Sequence, residues 1–175
     1  MMDKHQKLAY IAAWLSANLE MLDEVDLGVN CDESPSAEET FVAGIFLSTS
    51  ATKNSAPLLQ SVFQADAAHM SFGKYTLYSC YGITANCNAL PVALGIVFGN
   101  EDEEGWGLFW KFAKVHHPTI DDLKVTLITD QQKGSIEAMK DVLPLSVNFF
   151  CSFHWKKNFE VHLKVGKGKY SCYWY

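Results

Sequence analysis

Residues 124–150 read KVTLITDQQKGSIEAMKDVLPLSVNFF, and this stretch decides the fold. Lys124–Thr129 is an apolar run of strand length that ends at Asp130. Ile136, Met139 and Leu143 then repeat at helical spacing, and Pro144 closes the stripe. Ser146–Phe150 forms a second strand that runs into Cys151. A strand, a helix and a strand in close succession form a crossover unit, which joins parallel neighbours in one sheet.

Toward the N-terminus, Glu101–His117 reads as a helix. Four acids at 101–104 stand where the helix dipole favours negative charge, and Trp106, Phe109, Trp110 and Ala113 form the buried stripe. His116 and His117 fill its last turn, and Pro118 stops it. Before it come two long strand candidates, Tyr75–Thr84 and Leu90–Phe98, whose connection Ala85–Ala89 holds two Asn suited to a hairpin turn. Ser61–Ala65 is a shorter strand running into Asp66, Ser48–Pro57 is polar and turn-like, and Phe41–Leu47 is another apolar run. Beyond Cys151, Trp155–Leu163 reads as a third helix. The order β-β-β-β-α-β-α-β-α predicts an α/β fold, a mixed β-sheet flanked by helices.

The 175 residues suit one ordinary domain, and a hydrophobic share of 49% supplies a full core. Residues 4–22 place Leu8, Ile11, Ala12, Leu15, Leu19 and Leu22 on one helical face. Residues 20–39 carry eight acids and no base, the pattern of a solvated linker. The expected organisation is therefore a helix and acidic linker over 1–40, followed by a domain over 41–175. No run approaches the roughly 18 apolar residues of a membrane span, so no membrane partner is expected. The N-terminus lacks the pattern of a secretory signal. Five scattered cysteines suit reduced intracellular thiols.

Net charge is −6, but it is unevenly spread: −7 over residues 1–39, −3 over 40–150 and +4 over 151–175. All fourteen basic residues are Lys. Without Arg the chain lacks the bidentate fork that reads guanine edges, which argues against sequence-specific DNA reading, while Lys still neutralises phosphates as a point charge.

Asp66 and Asp130 each follow an apolar strand, and ligands of mixed sheets gather outside the carboxyl ends of strands. If the two strands are neighbours, the carboxylates converge and repel unless a cation lies between them. Hard oxygen donors favour Mg²⁺ or Mn²⁺. The plainer alternative is an Asp that makes a turn or caps a helix. Cys151 and His154 have ligand-like spacing for Zn²⁺, but a complete site needs four ligands. His162 and Cys172, the nearest further candidates, match no standard finger, so a buried Cys and a helix-start His are the competing reading. His69 is a candidate to face phosphate, or a polar loop residue.

Several segments in collinear order resemble one family. Gln64–Tyr75 (QADAAHMSFGKY), Ala85–Ala93 (ANCNALPVA), Gly99–Phe112 (GNEDEEGWGLFWKF), Ile128–Ala138 (ITDQQKGSIEA) and Phe150–Phe159 (FCSFHWKKNF) resemble the transposase domain of Mutator-like elements (MULE). That domain is a ribonuclease-H-like nuclease fold, and the likeness runs from about Phe41 to Phe159. The resemblance implies that Asp66 and Asp130 are the first two carboxylates of a metal-binding Asp-Asp-Glu triad. It implies Mg²⁺ or Mn²⁺ as cofactor, DNA as partner, cutting and joining of phosphodiester bonds, and a nuclear location. It leaves room for a homo-oligomer.

The family's third acid lies well beyond the Cys-x-x-His motif, so the resemblance implies a ribonuclease-H-like sheet truncated at its C-terminus and inactive alone. Glu160 is too close to that motif to fill the role. Glu104, which with Glu103 opens the helix after the strands, is a possible substitute; the plainer reading is that both serve the helix dipole. Gln131 stands where the family commonly has Arg, and Ala67-Ala68 replace Gly-Thr. Lys156, Lys157 and Lys164 are candidates for the DNA backbone, with Lys167 and Lys169 beyond them. Tyr170, Tyr173, Trp174 and Tyr175 suit either base stacking or a core position. The alternative function is a domesticated or decayed remnant acting as a non-catalytic DNA-binding or interaction module.

Overall fold

The computed structural model describes Tyr10, Ala13 and residues 25–33, 40–71 and 74–162. The expected helix over 4–22 lies outside the described residues, apart from Tyr10 and Ala13, both helical and exposed.

The chain folds as β1 (Val25–Glu33), β2 (Thr40–Thr49), α1 (Ser50–Ser55), a 3-10 turn (Ala56–Leu58), β3 (Leu59–His69), β4 (Tyr75–Thr84) and β5 (Ala89–Phe98). It continues as α2 (Glu103–His116), a second 3-10 turn (Pro118–Ile120), β6 (Thr126–Thr129), α3 (Lys133–Val142), β7 (Val147–Phe150) and α4 (Ser152–His162). All strands join one seven-stranded sheet in the order β1-β2-β5-β4-β3-β6-β7. The pairings of β1 to β5 are antiparallel, whereas β6 runs parallel to β3 and β7 parallel to β6. This is the α/β mixed sheet that the pattern predicted, and it has the ribonuclease-H-like arrangement.

Two expectations are corrected. Residues 25–33 are a strand of the sheet where a solvated linker was expected. Val25, Leu27, Val29 and Cys31 alternate with polar residues or Gly, a period-two signal hidden beneath the acid count. The polar stretch after Leu47 is ordered too: Ser48 and Thr49 end β2, and a short helix and a 3-10 turn follow.

Aromatic burial joins the sheet to α2. Trp106 and Trp110 stack at 5.6 Å between ring centroids, and Tyr78 of β4 meets the edge of Trp106 at 4.9 Å. These three side chains and Phe109 are essentially fully buried. Leu127 of β6 and Ala138, Met139 and Leu143 extend the same core beneath α3. Each such aromatic residue removes a large apolar area from water, which fixes the helix on this face. The β4–β5 hairpin closes as expected, although the positive-φ position is Cys87 (φ 59°) rather than either flanking Asn.

Candidate active site

The β3–β6 ladder sets the site. Its last parallel pair is Gln64 with Ile128, and two residues further along each strand stand Asp66 and Asp130. The equal offsets put the two acids at the same level along neighbouring strands, Asp130 one residue past the end of β6. Asp66 is not at the strand end, as expected from the sequence, but inside β3, paired with Ser79 of β4. It is exposed, and its Oδ1 accepts a hydrogen bond from the backbone N–H of Ala67 at 3.0 Å. Asp130 lies just past β6, half-buried, with Oδ1 accepting from the Gln132 N–H at 3.0 Å.

A third acid lies within range of their charges, from an unexpected position. Helix α2 starts at Glu103, with Asp102 as its cap: the Asp102 Oδ1 accepts from the Gly105 N–H at 2.9 Å. Glu101 therefore stands outside the helix. Gly99, at φ +130°, turns the chain out of β5 just before it, a conformation that side chains with a Cβ rarely adopt. The Glu101 Oε1 accepts from the indole Nε1–H of Trp106 at 3.1 Å. Burial raises the pKa of this half-buried carboxyl above its ordinary value; the Trp106 hydrogen bond opposes that, the charges of Asp130 and Asp66 add to it, and His69 opposes it. Glu101 is thus within electrostatic reach of both aspartates and of His69.

His69, at the end of β3, completes the surroundings. The Thr76 hydroxyl donates to the Gly99 carbonyl at 3.0 Å, and the same oxygen lies 3.4 Å from His69 Nδ1. Glu103 and Glu104, by contrast, are exposed on the first turn of α2. The acid whose ionisation feels the aspartates' charges is Glu101. Sequence reasoning passed over it because a run of four acids reads as dipole compensation; the available signal was Gly99, which ends the strand and leaves Glu101 outside the helix.

The remaining candidates fall elsewhere. Cys151 precedes α4 as a free, half-buried thiol whose N–H donates to the Thr129 carbonyl at 2.6 Å. The His154 Nδ1 is buried without a hydrogen-bond partner. No group of three or more His, Cys, Asp or Glu side chains among the described residues forms a ready-made metal cage. Lys156 and Lys157 are exposed on α4, with Lys156 4.0 Å from Glu160. Lys164, Lys167, Lys169, Cys172 and the terminal aromatic residues lie outside the described residues, as does the side chain of His162. No described helix is long and apolar enough to cross a membrane.

A family model, the MULE transposase domain, matches residues 62–158. No curated protein matches the chain.

Proposed function

The chain belongs to the MULE transposase domain family, and from that premise we propose that it acts on DNA phosphodiester bonds through a divalent-cation site at Asp66 and Asp130, with Glu101 as the neighbouring third acid. One observation supports the reading: Asp66 and Asp130 each stand two residues beyond the Gln64–Ile128 pair of neighbouring parallel strands.

The donor set fits the ion. Mg²⁺ and Mn²⁺ prefer hard oxygen donors, and Mg²⁺ is usually held by one or two carboxylates together with water and phosphate oxygens, so a closed protein cage is not required. Bound there, such an ion would lower the pKa of an attacking water or hydroxyl and stabilise the leaving oxygen. The chain's own contributions follow from the geometry. Asp66 and Asp130 supply the oxygen donors, and Glu101 adds negative charge at their side. His69 presents an imidazole at the end of β3, and Lys156 and Lys157 on α4 offer positive charge to a phosphate backbone.

The test is an Mn²⁺ titration of the whole chain followed by electron paramagnetic resonance, beside Asp66→Asn and Asp130→Asn. Second-sphere changes alone commonly weaken a metal site 10- to 100-fold, so loss of a ligand is expected to weaken Mn²⁺ binding by at least about tenfold. Equal affinity in all three proteins refutes the site. DNA binding that is lost when Lys156 and Lys157 are changed but indifferent to Asp130→Asn and to metal favours the non-catalytic binding module.

A further inference from the structure

Gln132 opens α3, yet Gln is not among the side chains favoured at a helix N-cap, where Ser, Thr, Asp and Asn predominate. All four of its polar groups are used, the backbone carbonyl by the Ile136 N–H at 3.2 Å. Its backbone N–H donates to the Asp130 Oδ1 at 3.0 Å. Its side-chain Oε1 accepts from the Ser135 N–H at 2.6 Å, which caps the helix. Its Nε2 reaches across to donate to the Glu101 carbonyl at 2.8 Å. A shorter cap would satisfy Ser135 but would not span to Glu101. The length of the side chain is accounted for by the second bond.

The surrounding backbone leaves little room for movement. A Cβ added at Gly134 would lie 2.6 Å from the Glu103 nitrogen and 2.7 Å from the Asp102 carbonyl carbon. The first turns of α2 and α3 are therefore in backbone contact. The Trp106 indole, fully buried, holds the carboxylate of Glu101 from the other side. Asp130, Gln132, Glu101 and Trp106 form one continuous hydrogen-bonded series that crosses from β6 to α2.

We propose that Gln132 is a positioning residue: it fixes Asp130 relative to Glu101 so that the acids beyond the β3–β6 ladder are pre-arranged for a divalent cation. This rests on the metal reading above. Outer partners of metal ligands are commonly worth 10- to 100-fold in affinity because they orient the ligand. Nothing in the role requires Gln132 to touch the ion or the DNA.

The experiment separates positioning from capping. Gln132→Ser retains a favoured N-cap and removes the reach to Glu101, so the metal-free thermal midpoint is expected to stay within about 2 °C of the parent. Mn²⁺ affinity, followed by the paramagnetic signal of the bound ion, is expected to fall about tenfold. If Gln132→Ser does not fold, Gln132→Asn keeps both the amide and a favoured cap at shorter reach and is read in the same way. Unchanged Mn²⁺ affinity in the folded variant overturns the positioning role. Asp66→Asn is titrated alongside. If that control leaves Mn²⁺ affinity unchanged, the metal site itself is refuted and the positioning role with it, an outcome distinct from loss of the positioning role alone.

Discussion

At the scale of single residues, two carboxyls show how similar chemistry is used in opposite ways. Glu101 is half-buried among like charges, and burial holds its pKa up. A carboxyl with a raised folded pKa costs stability at neutral pH, because the unfolded chain ionises it more easily. Glu101→Gln keeps an acceptor for Trp106 and removes the charge, so metal-free stability at neutral pH is expected to rise, by an amount that solvent screening of the half-exposed carboxyl keeps small, in chemical denaturation with chelator present. Asp121 is the reverse case. Burial pushes its pKa up, but this is outweighed by the Lys114 hydrogen bond, the backbone N–H of Leu145, the Lys114 charge and a backbone bond from Ser146, so the net pKa is lowered. The Lys114 Nζ lies 2.7 Å from its Oδ2, and Leu145 donates to its Oδ1 at 2.8 Å. Because the Lys114 side chain is 41% exposed, the ion pair is partly screened, and Asp121→Asn is expected to cost only about 1–2 kcal/mol at pH 7. The folded pKa lies below the unfolded one, so this contribution is complete above about pH 4 and is lost as pH falls through the lower folded value. Parent and variant should therefore converge in stability on acidification, as read by denaturant midpoints.

At the scale of elements, two glycines near the site behave differently for steric reasons. Gly134 stands where α3 meets the backbone of α2, and neither backbone atom facing it has a flexible side chain's freedom to give way. Gly134→Ala is expected to destabilise by about 1–3 kcal/mol, the usual cost of overpacking. Gly107, inside α2, would place its Cβ in open space. Gly107→Ala is therefore expected to stabilise by up to about 1 kcal/mol, since Gly costs that much in a helix interior. The two substitutions are identical in the sequence and opposite in sign on a thermal melt. The elements themselves were largely legible. The stripe Trp106, Phe109, Trp110 and Ala113 marks α2, and the β6–α3–β7 unit follows from Asp130, Met139 and Pro144. The first strand was not, because eight acids over residues 20–39 outweigh an alternation of only four apolar side chains. The Gln132 bond to Glu101 spans 31 positions and leaves no periodic trace.

At the scale of the whole molecule, charge and topology divide the work. The basic side chains of α4 follow directly after the edge strand β7, while Asp66 and Asp130 stand beyond the β3–β6 ladder in the interior of the sheet. Replacing Lys156 and Lys157 with Ala is expected to weaken DNA binding uniformly across sequences. It should also reduce the slope of log affinity against log salt by about 2, measured by fluorescence anisotropy over a salt series. The place of the two aspartates was legible from the strand runs that lead to them; their neighbourhood with Glu101 was not, since it depends on how the chain turns at Gly99. The pairing of the sheet has one more consequence. Asp66 is carried on a strand laced to β4 along its length, whereas Asp130 belongs to the turn between β6 and α3. The sheet thus seats Asp66, whereas the place of Asp130 is set by the contacts of Gln132 and Gly134 with the start of α2. A cation held as proposed would meet one donor placed by the sheet and one placed by a helix junction, so substitutions between Gln131 and Gly134 are expected to shift relative Mg²⁺ and Mn²⁺ affinity while the sheet stays as it is.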